Sequence, residues 1–277
     1  MADPLGCAPR HRYRYGHLIT QVCRSADQAT AQKAWQALTG WTAWTPDLPA
    51  LITAQLTNLE DRVLWPLAVP PPPALLRTGQ PGPVLREVTG KLADLDHTMA
   101  DPDGPGRDRP ARQRLTYLVH QVETWGRRPG LDPDLDRTPL VDAGRHLTRK
   151  PDFTWQATAL LAAASPIHHG KGQQLASQLA EICDLLQDRD AAAARTAQAI
   201  AFHVADDTRA DPDTLYTAAK TLQNDHRLCA GLITVALTRQ GVKLGWPAAW
   251  QALIRRLRVH HLPDVRAAAL AIVIAPE

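Results

Sequence analysis

At 277 residues and 44% hydrophobic content, the chain is long enough for one large domain or two ordinary ones and has ample apolar side chains for a core. A formal charge of +3 falls well short of the dense cationic surface of a dedicated nucleic-acid binder; it permits nucleic acid without requiring it. No run approaches the roughly 18 uncharged apolar residues of a membrane span, and the opening MADPLGCAPRHRYRYGH lacks the apolar stretch of a secretion signal, so a cytoplasmic location away from membranes is expected.

Strand signals are nearly absent: no alternating run of Val, Ile, Thr or aromatic residues is bounded by turn residues. The expected class is all-α. Gly and Pro cluster between helical segments, in TGQPGP, DPDGPGRDRP, RRPGLDPDLDRTP and DTRADPD, and so mark where helices end. In chain order, helices are expected over 13–23 and 28–38, then over 48–67 after a loop-like TGWTAWTP. A polyproline spacer at Pro70 to Pro73 precedes helices over 82–99 and 111–125.

From 138 onward the pattern repeats. Leu175, Leu179, Ile182, Cys183 and Leu186 follow the spacing of one helix face, and Trp246, Trp250, Leu253, Ile254 and Leu257 follow the same spacing. Leu215, Ala218, Ala219 and Leu222, and Leu140, Ala143, Gly144 and Leu147, share that register. Each amphipathic helix is followed by an Asp-rich turn and a second, more apolar helix, which aligns Trp155, Arg195, Arg227 and Arg266 in one column. The last such helix, expected over 265–275 with Asp264 as its cap, carries almost no polar residue except Arg266. A period of this kind predicts a helical solenoid.

The turn and helix opening PDVRAAALA, Pro263 to Ala271, resembles the HEAT-repeat family; NDHRLCAGL keeps Asp225 and Arg227 of the same motif. The resemblance implies a HEAT-like α-solenoid of stacked antiparallel helix pairs forming a single helical-repeat domain over 1–277, with degenerate repeats and Pro-rich loops over 1–137 and clearer ones over 138–277. It also implies that Asp264, Arg266, Asp225 and Arg227 bridge neighbouring repeats structurally. A weaker resemblance links the chain to HEAT-like bacterial alkylpurine DNA glycosylases through size, basicity and the Asp152 and Trp155 that open a second helix, although Thr158 stands where that family carries Arg. The preponderance of Arg over Lys, with abundant Ala and Pro, agrees with a GC-rich bacterial genome.

No catalytic set stands out. DPDGPGRD at 101–108 places Asp101, Asp103 and Gly106 like a calcium loop, but Pro105 and Arg112 occupy two ligand positions. GKGQQ at 170–174 lacks the Ser or Thr of a phosphate loop. The adjacent pairs His168-His169 and His260-His261 would diverge on a helix and chelate nothing from one face. Four scattered cysteines without CxxC spacing read as reduced, mostly buried thiols. No metal or cofactor is expected.

The expected function is therefore non-catalytic: a scaffold binding a protein partner through an extended surface. The alternative is a DNA-binding solenoid or a glycosylase of the HEAT-like kind. For nucleic acid the candidate contacts are Arg12 and Arg14, interleaved with Tyr13 and Tyr15, and Arg255, Arg256 and Arg258. For a protein partner they are Trp41 and Trp44 in their loop, and Val265, Ile272 and Ile274, whose exposure at the C-terminal repeat would create a docking surface for a partner or a second copy. The remaining tryptophans on helix faces, Trp35, Trp125, Trp155, Trp246 and Trp250, are expected in the core.

Overall fold

A computed structural model of the chain describes residues 6–25, 27–38, 41, 44–45, 48–61, 81–98, 109–126, 137–165, 167, 170–206 and 210–274. Every extended regular element among them is helical: α1 Arg12–Val22, α2 Gln28–Leu38, α3 Leu48–Thr57, α4 Pro81–Thr98, α5 Pro110–Gly126, α6 Thr138–Thr148, α7 Thr154–Ala163, α8 Gly172–Leu185, α9 Asp190–Asp206, α10 Pro212–Leu222, α11 Leu228–Thr238, the one-turn α12 Gln240–Lys243, α13 Ala248–Leu257 and α14 Pro263–Leu270. Among the described residues no helix is long and apolar enough to cross a membrane. The polyproline run, residues 62–67 of the expected third helix, the 101–108 loop and His168-His169 lie outside the described residues.

Contacts divide the chain into two compact units, one of Met1–Gln121 with Leu135–Ala143 and one of Val122–Asp134 with Gly144–Glu277. In the first, α1 packs on α2 and α3 on α4. Among the described residues, the buried carboxylate and guanidinium side chains, Asp96 and Arg114, both belong to this core. Asp96 on α4, 2% exposed, is held by Arg109 at 2.7 Å and Arg112 at 3.0 Å. Arg114, 3% exposed, donates to the carbonyls of Leu56, Asn58, Leu59 and Asp61 and so satisfies the open C-terminal end of α3. Burial pushes the Arg114 pKa down while nearby Asp61 opposes the shift.

The second unit packs apolar helix on apolar helix. α7 packs on α9, α9 on α11 and α11 on α14; α8 packs on α7, α10 and α11, and α13 on α11 and α14. The shared register holds: Leu175, Leu179, Ile182, Cys183, Leu215, Ala218, Ala219, Leu253, Ile254 and Leu257 are all buried. Helix ends follow local chemistry. Pro212 opens α10, and Asp211 caps it by accepting from Thr214 N at 2.9 Å. Trp246, expected on the last amphipathic helix, instead precedes α13 in a left-handed conformation (φ 59°) and is buried against Gly241.

Polar bridges run along this unit. Arg145 on α6 pairs Glu181 on α8 through two bonds of 2.8 and 2.9 Å, which holds the Glu181 carboxyl below its ordinary range. Arg227 bonds Asp225 in its own turn, with Nε at 2.9 Å from Oδ1, and reaches Asp184 of the preceding helix pair. These hydrogen bonds lower the Asp225 pKa. Arg266 differs from the expected rung: it donates to the carbonyls of His260 and His261 at 2.7 and 2.9 Å and so ties its own turn.

The last helix departs from expectation. It stops at Leu270, not Ala275, and its N-cap is Leu262, with Asp264 inside the first turn and no side-chain cap bond. Val265 is fully buried because α11 offers it Gly231: a Cβ there would lie 2.5 Å from Val265 Cγ2. Ile272 is buried and Ile274 half-buried, so the expected apolar docking trio is largely covered by the chain itself. The exposed apolar side chains here are Val259, Leu270 and Val273.

Candidate binding groove on α7 and α9

A concave feature of the second unit, among the described residues, lies between α7 and α9, beside the end of α5. α7 follows a tight turn, Pro151–Phe153, in which Phe153 is buried as an anchor and Thr154 Oγ1 donates to Pro151 O at 2.7 Å. The helices that follow are rich in alanine. Where Ala159 and Ala162 of α7 face Ala199 of α9, short side chains leave a groove of about 210 Å³. Its walls are Trp155 and Phe202, and Phe202 is 48% exposed. Arg195 of α9 and Glu123 of α5 place opposite charges at its edge.

This corrects the expectation that Trp155 is a core residue: it is half-buried and lines the groove. Trp35, Trp246 and Trp250 are buried as expected, and the Trp125 side chain lies outside the described residues. Phe202 was not a sequence candidate. Its signal was available, because Arg195, Ala199 and Phe202 recur at i, i+4 and i+7, and Arg195 shares a column with Trp155.

The polar side chains lining the groove are Glu123, Thr158, Arg195, Thr196 and Gln198. Thr158, at the position where the glycosylase resemblance requires Arg, is 1% exposed and turns its hydroxyl back to the carbonyls of Thr154 and Trp155, both at 3.0 Å. Among the described residues no group of His, Cys, Asp and Glu could hold a metal ion. The His260-His261 pair lies in the turn before α14 rather than on a helix, which brings the two rings to 4.2 Å and His226 to 5.4 Å from His261. Burial and the neighbouring His261, His226 and Arg266 push the His260 pKa down. All four cysteines are free; burial pushes the Cys23 thiol up to about 12, and a hydrogen bond with Cys229 together with burial raises Cys183.

The remaining candidates fall in separate places. In the first unit Arg12 is half-buried, donating to Cys7 O at 3.2 Å and lying 5.2 Å from the Trp44 ring centroid, whereas Arg14 is exposed. Trp41, expected as an exposed contact, is 3% exposed beneath Tyr15 and Trp44, and Trp44 is half-buried. Packing of this aromatic trio outweighs the loop character of its sequence. On α13, Arg255 is exposed and bonds Gln251, while Arg256 bonds Gln223, the C-cap of α10, at 3.1 Å. Arg258 donates to Ile272 O at 2.7 Å and Ala269 O at 3.5 Å, closing the end of α14. Comparison with known proteins adds no assignment: no family model matches the chain, and no curated protein or solved structure matches it.

Proposed function

We propose that the second unit is a HEAT-like α-solenoid of stacked helix pairs and that the chain is a non-catalytic scaffold for a protein partner. The stepwise packing of α7, α9, α11 and α14, and the bridges from Arg145 to Glu181 and from Arg227 to Asp184, support the repeat reading. The carrying observation for binding is the groove: two accessible aromatic walls over an alanine floor, with the opposite charges of Arg195 and Glu123 on the rim. Such a site takes one bulky apolar side chain, the anchor typical of protein recognition, and Arg195 adds attraction for an acidic neighbour of that anchor.

Selection from a displayed random-peptide library tests this. Enriched peptides are expected to share a bulky apolar residue beside Asp or Glu, and to lose at least tenfold in affinity for Trp155→Ala or Phe202→Ala. Failure to enrich any peptide, or peptides that bind both variants as well as the natural chain, overturns the proposal.

A further inference from the structure

The charge of this chain is unevenly placed. Residues 6–25 hold four of its 31 Lys and Arg and none of its 28 Asp and Glu, leaving 27 cations against 28 acids elsewhere. The net positive charge thus resides in α1, through Arg12 and Arg14, and in the turns on either side of it, through Arg10 and Arg24. That helix buries Gly16, Ile19 and Thr20 on one side. The backbone comes close there, since a Cβ on Gly16 would collide with the carbonyl of Trp44.

The opposite side is open. At about 100° per residue, Arg14 stands at the centre of the solvent arc, with Tyr13 and Tyr15 on its two flanks and His17 and Leu18 one turn further on. Tyr13 is 64% and Tyr15 49% exposed, which is high for rings that normally seek cover. Arg10 is also exposed, with its Nε 3.1 Å from His11 Nε2. Tyr15 is braced from behind by Trp41, at 6.2 Å between ring centroids, and Arg12 is parked over Trp44.

We propose that the exposed arc of α1, with the turn Pro9–His11 before it, binds single-stranded nucleic acid, with Arg10 of the turn and Arg14 of the helix on the phosphate backbone and the rings of Tyr13 and Tyr15, on opposite flanks of Arg14, stacking against bases. Charge complementarity selects a polyanion, and the exposed rings select one that also carries flat π-faces. An anionic membrane fits less well, because Leu18 is the one aliphatic side chain the face offers to a lipid interior. This surface is independent of the groove on α7 and α9, so either assignment can fail alone.

The test is fluorescence anisotropy of a labelled 20-nucleotide oligo-dT with the full chain, across a salt series. Binding is expected at low salt, weakening with a log–log salt slope of about −0.7 per phosphate contact, or roughly −1.4 for the two arginines. Arg10→Gln with Arg14→Gln should flatten that slope. Tyr13→Ala with Tyr15→Ala should weaken binding on the order of tenfold or more while leaving the slope unchanged. Arg86→Gln, at an exposed cation on α4, should change neither, and circular dichroism should report intact helices throughout. Absence of binding at about 20 mM salt, affinity unaffected by the α1 variants, equal affinity for a duplex of the same length, or preferential binding to phosphatidylserine vesicles overturns the proposal.

Discussion

α11 and α14 are alike as sequences and unlike as parts of a structure. LCAGLITVALT and PDVRAAAL are both apolar around most of their circumference, and both open after a turn containing Asp or His. α11 is enclosed by α8, α9, α10, α13 and α14, so nearly all of its side chains are buried. α14 packs mainly on α11 and α13, burying Val265 and Ala269 while Leu270 remains 61% exposed. An apolar composition therefore sets how much burial a helix can use, and its neighbours set how much it receives.

The largest effect that would sharpen this contrast is expected at the centre of α11. Ile233 is fully buried, so Ile233→Asp should destabilise the second unit by on the order of 4 kcal/mol or more, by stranding a charge and losing packing. Chemical denaturation measures it, and a loss under about 1 kcal/mol would show that α11 is not enclosed. Gly231→Ala comes next. Its methyl would meet Val265, so about 1–3 kcal/mol of overpacking is expected, partly relieved by adding Val265→Ala. Additive double-mutant behaviour would break the claimed contact between α11 and α14.

Smaller effects concern the end of α14. Arg258→Ala should cost about 1 kcal/mol by leaving the Ile272 carbonyl without its donor, and hydrogen exchange should rise at the last turn before it rises elsewhere. The pH response of the adjoining turn has a definite sign. His260 has a folded pKa below its ordinary value, so the unfolded chain takes up the proton first. The contribution is fully present above about pH 6.5 and declines as pH falls through that value towards the depressed folded pKa. His260→Asn should flatten this part of a stability–pH profile. Asp225, also depressed, loses its contribution in a separate, more acidic window, as pH falls from its unfolded pKa through its folded one. The smallest change is at Leu270: Leu270→Gln should shift stability by no more than about 0.5 kcal/mol, and a larger loss would mean that α14 has a cover on that side.

Much of the second unit was legible because its amphipathic helices obey a strict register. Leu175 to Leu186 and Leu253 to Leu257 fall where the 3.6-residue period puts them, and Asp225 and Arg227, two residues apart, pair within one turn. The groove was half legible: the column containing Trp155 and Arg195 was visible, but the cavity depends on Ala159, Ala162 and Ala199 coming together from different helices. Alanine in a helix reads the same whether it packs or leaves space. The Trp41 burial and the Arg258 bonds were not legible, because each depends on a partner distant from its local pattern.

The order of residues by itself determined the helical class, the positions of the amphipathic faces and the concentration of positive charge in and beside α1. These follow from local spacing, turn chemistry and composition, which need no partner in space. Only the tertiary structure decided that Trp155 and Phe202 flank an open groove, that Trp41 is covered, and that Val265 finds room against Gly231. Burial and vacancy are properties of pairs of surfaces, and a helix carries only one of the two.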